Sequence, residues 1–136
     1  MGIFGNIFKK SSEEKHTKQK EISNINWIPL TSIDQIKDIK KQSKSKFIGV
    51  FKHSTRCVIS RTVFKNFNQH FPEGVSEKIN MYYLDLLSFR DVSDEIGYAF
   101  QVMHQSPQFL LIKNENTVAH ASHYDITQIP LEKILK

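Results

Sequence analysis

KFIGVFKHSTRCVISRTVFKNFNQHF, residues 46–71, contains the only cysteine of the chain. Residues 46–52 form a compact apolar run of strand length. From Cys57 onward, Ser60, Val63, Phe64, Phe67 and Phe71 share one helical stripe, which Pro72-Glu73-Gly74 ends. Strand therefore passes into helix through His53-Ser54-Thr55-Arg56, with the cysteine at the junction. A structural thiol belongs in the middle of an apolar run, whereas a thiol at such a junction reads as reactive. The first helical turn presents unpaired backbone N–H groups and the positive end of the helix dipole. Lys52, Arg56 and Arg61 add charge of the same sign. All of these favour the thiolate, the form that attacks sulfur.

Outward from this stretch the chain alternates between strand and helix. INWIPL (25–30) is short, β-prone and proline-containing, which suits an edge strand. In TSIDQIKDIKKQSK (31–44), Ser32 and Gln35 have capping-box spacing, and Ile33, Ile36 and Ile39 repeat as in a helix. INMYYLDLL (79–87) reads as a buried strand. DVSDEIGYAFQV (91–102) reads as a helix with acids in its first turn. QFLLIK (108–113), NEN (114–116) and TVAHAS (117–122) form a hairpin. DITQIPLEKILK is expected as a closing helix, with Thr127 as N-cap and Pro130 in its first turn. The order β-α-β-α-β-α-β-β-α implies an α/β sandwich, parallel first and closed by an antiparallel hairpin.

Length and composition bound the possibilities. A chain of 136 residues is one domain with room for a tail. Residues 1–24 are expected as a flexible basic N-terminal tail with an apolar tip at Ile3, Phe4, Ile7 and Phe8, and residues 25–136 as the folded domain. No apolar run reaches the ~18 residues of a membrane span. The start lacks a secretory pattern, and one cysteine excludes a disulfide framework, so the cytoplasm is the expected location. Residues 37–65 carry nine Lys/Arg against one acid, whereas the whole chain has a net charge of only +5. The excess positive charge therefore surrounds the cysteine, where it can attract an anionic partner. Nucleic acid is not the expected one, because Phe47, Phe51, Phe64 and Phe67 follow core periodicity and form no stacking platform.

Residues 25–136 resemble a thioredoxin fold, with Cys57-Val58-Ile59-Ser60 where that fold carries its C-x-x-C; serine in the second position makes the motif monothiol. Three ordered blocks, KHSTRCVIS (52–60), QSPQFLLIKN (105–114) and HASHYDIT (120–127), are together similar to the bacilliredoxin-like monothiol proteins of the bacillithiol system. That family reads H-S-T-x-C-P-I-S. Here His53, Ser54, Thr55, Cys57, Ile59 and Ser60 match, and Val58 replaces the proline.

The resemblance implies a thiol–disulfide oxidoreductase with Cys57 as nucleophile. Bacillithiolated proteins and a low-molecular-weight thiol are the implied partners. Bacillithiol would be a co-substrate, and no tightly bound cofactor is expected. Pro107 matches the cis-proline facing the cysteine, and Ser106 would offer backbone hydrogen bonds to a docked peptide or thiol. Ser60 reads either as a polar first-turn residue or as a donor to the thiolate, and Thr55 as a turn residue or a thiolate neighbour. His53 and His104 read as structural or solvent-facing. His120 and His123, three apart on a strand, point to opposite faces and give no metal site. Two other readings stand beside the exchange enzyme: a thiol-binding sensor or adaptor without turnover, and a cysteine hydrolase or transferase with a histidine base.

Overall fold

The computed structural model describes residues 25–136; the expected tail, 1–24, lies outside the described residues. Five strands and four α-helices follow in the order β1 (Ile28–Pro29), α1 (Asp34–Gln42), β2 (Phe47–His53), α2 (Val58–Gln69), β3 (Ile79–Asp85), α3 (Arg90–Phe100), β4 (Gln108–Lys113), β5 (Asn116–Ser122), a 3-10 helix (His123–Gln128) and α4 (Leu131–Ile134). The strands form one sheet in the order β1-β3-β2-β4-β5. β3 is parallel to both β1 and β2, and β4 is antiparallel to β2 and β5.

β2 lies at the centre of this sheet, and its strict alternation sorts the core into two layers. Ile48 and Val50 point toward α1 and α3 and pack with Ile36, Ile39, Val92 and Ile96. Phe51 points the other way, toward α2, the 3-10 helix and α4, and joins Val63, Phe67, Phe109, Ile126 and Leu131. In this second layer the Phe67 ring meets Phe51 edge to face and Phe109 at a tilt, with centroids 5.3 and 5.0 Å apart. Gly49 is the thin point of the strand. A Cβ there would lie 2.6 Å from Met81 Sδ and 3.0 Å from the Phe109 ring.

Local chemistry explains most element ends. Gln35 Oε1 accepts the N–H groups of Thr31 and Ser32 at 2.8 and 3.0 Å, which caps α1. β3 stops at Asp85, two residues short of its expected end, because the Asp85 carboxylate accepts the Leu87 and Ser88 amides and turns the chain. Gly97 inside α3 lets the helix end fold back: the Val102 amide bonds the Gly97 carbonyl, and the Val102 carbonyl lies 3.0 Å from where a Cβ would stand. The β4–β5 turn is Asn114-Glu115, both at positive φ, as a two-residue hairpin of the right twist requires.

The end of the chain corrects the sequence expectation. DITQIPLEKILK is not one helix. A 3-10 helix runs to Gln128, Ile129 is extended (φ −67°, ψ 121°), and α4 begins only after Pro130. The proline disfavours helical backbone in the residue before it, so the break falls at Ile129. Thr127 caps nothing; its hydroxyl donates to the Tyr124 carbonyl at 2.8 Å.

Candidate functional site

The site is assembled where the C-terminal end of β2 meets the N-terminus of α2. Ser54-Thr55-Arg56-Cys57 form a tight turn, closed by the Cys57 amide on the Ser54 carbonyl at 3.2 Å. Cys57 then stands as the N-cap of α2, in extended conformation (φ −98°, ψ 125°), with no side-chain capping bond, and its carbonyl accepts the Arg61 amide at 3.0 Å. The thiol therefore precedes the first helical turn and does not lie within it. An N-cap residue adjoins that turn's N–H groups, and the Cys57 side chain makes no hydrogen bond to them. Cys57 is half-buried and free.

Ser60 is fully buried at the third helical position. Its Oγ accepts the Ser54 amide at 3.0 Å and lies 2.7 Å from His53 Nδ1. The C-x-x-S serine is thus bonded to the strand end and the turn. His53 is buried and stacks on Phe64 at 4.8 Å, with Tyr83 at 5.7 Å. Burial pushes the His53 pKa down, Asp85 opposes this, and Arg61 adds to it. Burial also raises Tyr83, with Asp85 acting in the same direction.

β4 supplies the facing wall. Lys52 pairs with Gln108 across the sheet, so the Ser106-Pro107 segment enters beside the end of β2. The Ser106–Pro107 peptide bond is cis; Pro107 is buried, and Ser106 is half-buried. The Pro107 carbonyl accepts the His123 amide at 3.0 Å, which ties this segment to the end of β5. Thr55, Arg56 and Arg61 are exposed around the turn. Val58 and Ile59 are exposed directly after the cysteine.

Lys52 is a correction. The sequence places it two residues before the turn, as one of the cations favouring the thiolate. Strand alternation sends its side chain to the opposite face from His53, where it is wholly buried. Its Nζ donates to the Ser93 carbonyl at 2.9 Å, and burial lowers its pKa to about 8, Asp94 opposing. Around it lie two further polar groups. His104 Nδ1 is 3.4 Å from Ser93 Oγ, and the His104 pKa is lowered by burial, then by Lys52 and Arg90, against Asp94. Gln108 donates to the Met103 carbonyl at 2.9 Å, while its Oε1 is buried without a partner among the described residues. Nothing in the sequence marks this cluster beyond a lysine and a glutamine inside strands. The His53–Ser60 contact was missed too. Its one signal is a histidine ending a strand seven residues before a serine on the buried helical stripe.

The fold that carries this arrangement is the thioredoxin fold. A solved protein described as a candidate oxidoreductase with a thioredoxin fold is 32% identical and superposes with a TM-score of 0.66, covering 81% of this chain and 94% of its own. Thioredoxin from Malassezia sympodialis (TM-score 0.63, 17% identity, covering 83% of this chain and 89% of its own) and thioredoxin O2 from Arabidopsis thaliana (0.63, 15%, 81% and 95%) share the fold. Residues 28–131 match the family described as monothiol bacilliredoxin BrxC. The chain belongs to the monothiol bacilliredoxin family.

Proposed function

We propose that this protein removes bacillithiol from protein mixed disulfides in the cytoplasm, through Cys57. The Cys57 thiolate attacks the bacillithiol sulfur, the disulfide bond between that sulfur and the substrate protein's cysteine sulfur breaks, and the protein thiolate leaves with the electron pair and takes a proton from solvent. Cys57 is left in a mixed disulfide with bacillithiol. A second thiolate, from free bacillithiol or another protein thiol, then attacks that disulfide and returns Cys57 to thiolate. Bacillithiol is a co-substrate in this scheme and not a resident group.

The observation that carries the reading is the placement of the sole cysteine of a bacilliredoxin-family chain. It is half-buried at the N-terminus of α2, its second motif position is a serine, and the chain carries a cis Ser106–Pro107 bond just before β4. Pro107 and the Ser106 backbone would form the wall against which the thiol or peptide docks. Thr55 would border the sulfur, and the exposed Arg56 and Arg61 would attract the malate carboxylates of bacillithiol. The hydrolytic reading has less support, because His53 spends Nδ1 on Ser60 and His104 lies across the sheet.

Mass spectrometry of the protein after mixing with a bacillithiolated substrate tests the proposal. The expected product is a bacillithiol adduct on Cys57 together with the freed substrate thiol. Release without an adduct would point to hydrolysis, and an adduct that added thiol never removes would point to a sensor without turnover.

A further inference from the structure

A slot of about 500 Å³ opens at the end of α2 opposite to Cys57, where the break at Ile129 faces the last helical turn. Its volume lies within the range of pockets that bury a ligand. Phe67 and Phe71 form one wall, and Ile126, Ile129 and Leu131 form the other. The exposed His70, Glu132 and Lys133 complete the lining. Pro130 keeps the 3-10 helix and α4 apart, and the slot is the notch between them and α2.

Two smaller hollows connect the slot to the point where the described chain begins. One, of about 90 Å³, is bordered by Ile25, Asn26, Phe71 and Ser76. The other, of about 300 Å³, is bordered by Phe71, Pro72, Glu73, Gly74 and Ser76. Ser76 joins the first hollow to the second, Pro72 joins the second to the slot, and Phe71 borders all three. A furrow therefore runs from Ile25 along the α2–β3 loop to the slot. The sequence before Ile25 has something to place there. Ile3, Phe4, Ile7 and Phe8 recur at the spacing of one helical face, and four such side chains call for cover from water. Residues 9–24 separate them from Ile25, a length that spans up to about 50 Å when extended. A domain of this size has a radius of gyration of about 13 Å, so the slot is within reach. This connecting stretch holds five lysines and three glutamates, and Glu73 lies in the furrow.

We propose that the slot is the docking site of this chain's own residues 3–8, reached along the furrow from Ile25. The four apolar side chains enter between the two walls, and the lysine-rich stretch returns past Glu73. The inference does not depend on the chemistry of Cys57.

The test is NMR of the full-length chain as Asn6→Cys/Cys57→Ser, carrying a nitroxide spin label at the introduced thiol. Amide peaks of Phe71, Ile129 and Leu131 should be broadened, while those of α1, in the other core layer, should keep their intensity. Adding Phe4→Ser/Phe8→Ser, which alters only residues outside the described domain, should restore the slot peaks. A mixture of nitroxide-bearing chain without nitrogen-15 and unlabelled nitrogen-15 chain should leave those peaks sharp. Equal broadening in the mixture would make a second copy the occupant and overturn the proposal. Slot peaks that stay sharp in the labelled chain, or broadening spread evenly over the domain, would overturn it as well.

Discussion

Replacing Lys52 with methionine should stabilise the protein, an unusual outcome for removal of a charged residue. Lys52 is wholly buried, its ammonium donates to one carbonyl, and its pKa is about 8 against an ordinary 10.5. At about 1.4 kcal/mol per pH unit, that gap means burial of the charged form costs about 3 kcal/mol at neutral pH. Because the folded pKa is the lower one, the unfolded chain binds more protons between pH 8 and 10.5. Stability therefore rises across that window and gains nothing further above it. Methionine matches the stem in shape and carries no charge, but it forfeits the bond to the Ser93 carbonyl. The net gain should be about 1–3 kcal/mol at pH 7. Urea unfolding of both proteins at pH 7, 8, 9 and 10, under reductant, measures it. The advantage of Lys52→Met should shrink steadily above pH 8. A variant less stable at pH 7, or a difference independent of pH, would refute the reasoning. The exchange rate with a neutral disulfide should change less than about twofold, since Lys52 lies across the sheet from Cys57.

Exchange with an anionic disulfide should slow several-fold between low and high salt, and that salt dependence should weaken in Arg56→Ala/Arg61→Ala, while a neutral disulfide shows little of either; equal salt slopes in stopped-flow traces would leave these arginines as solvated surface. Gly49→Ala should cost about 1–3 kcal/mol by urea unfolding, because its Cβ would enter contact distance of both Met81 and Phe109 in a strand buried on both faces. An unchanged midpoint would mean that the Met81 side chain yields at no cost.

Much of the fold is legible because the apolar spacing changes period at definite residues. The run at 46–52, the stripe from Ser60 to Phe71 and the hairpin turn at 114–116 each follow from local pattern, and the structure extends the strand to His53 and narrows the turn to Asn114-Glu115. What local pattern cannot supply is orientation. Lys52 and His53 are neighbours in sequence, yet alternation places one against α3 and the other against α2. Which of them faces the cysteine depends on which layer α2 joins, a tertiary fact. Ser60 shows the same limit. Its spacing from Cys57 is plain, but its bonds go to His53 and Ser54, which only the closed turn brings within reach. At the C-terminus, Thr127 as N-cap and Pro130 in a first turn pointed to one helix, and the restriction that Pro130 places on Ile129 prevailed.

The central claim is monothiol exchange through Cys57, and the most direct measurement is the stoichiometry of release. With a bacillithiolated protein and no added thiol, Cys57 can accept one bacillithiol, and Ser60 cannot resolve the product because an alcohol is not a thiolate. Liberated substrate thiol should reach one equivalent per Cys57 and stop, resume when bacillithiol is added, and be absent in both phases for Cys57→Ser. Several equivalents released without added thiol, or release persisting in Cys57→Ser, would contradict the account.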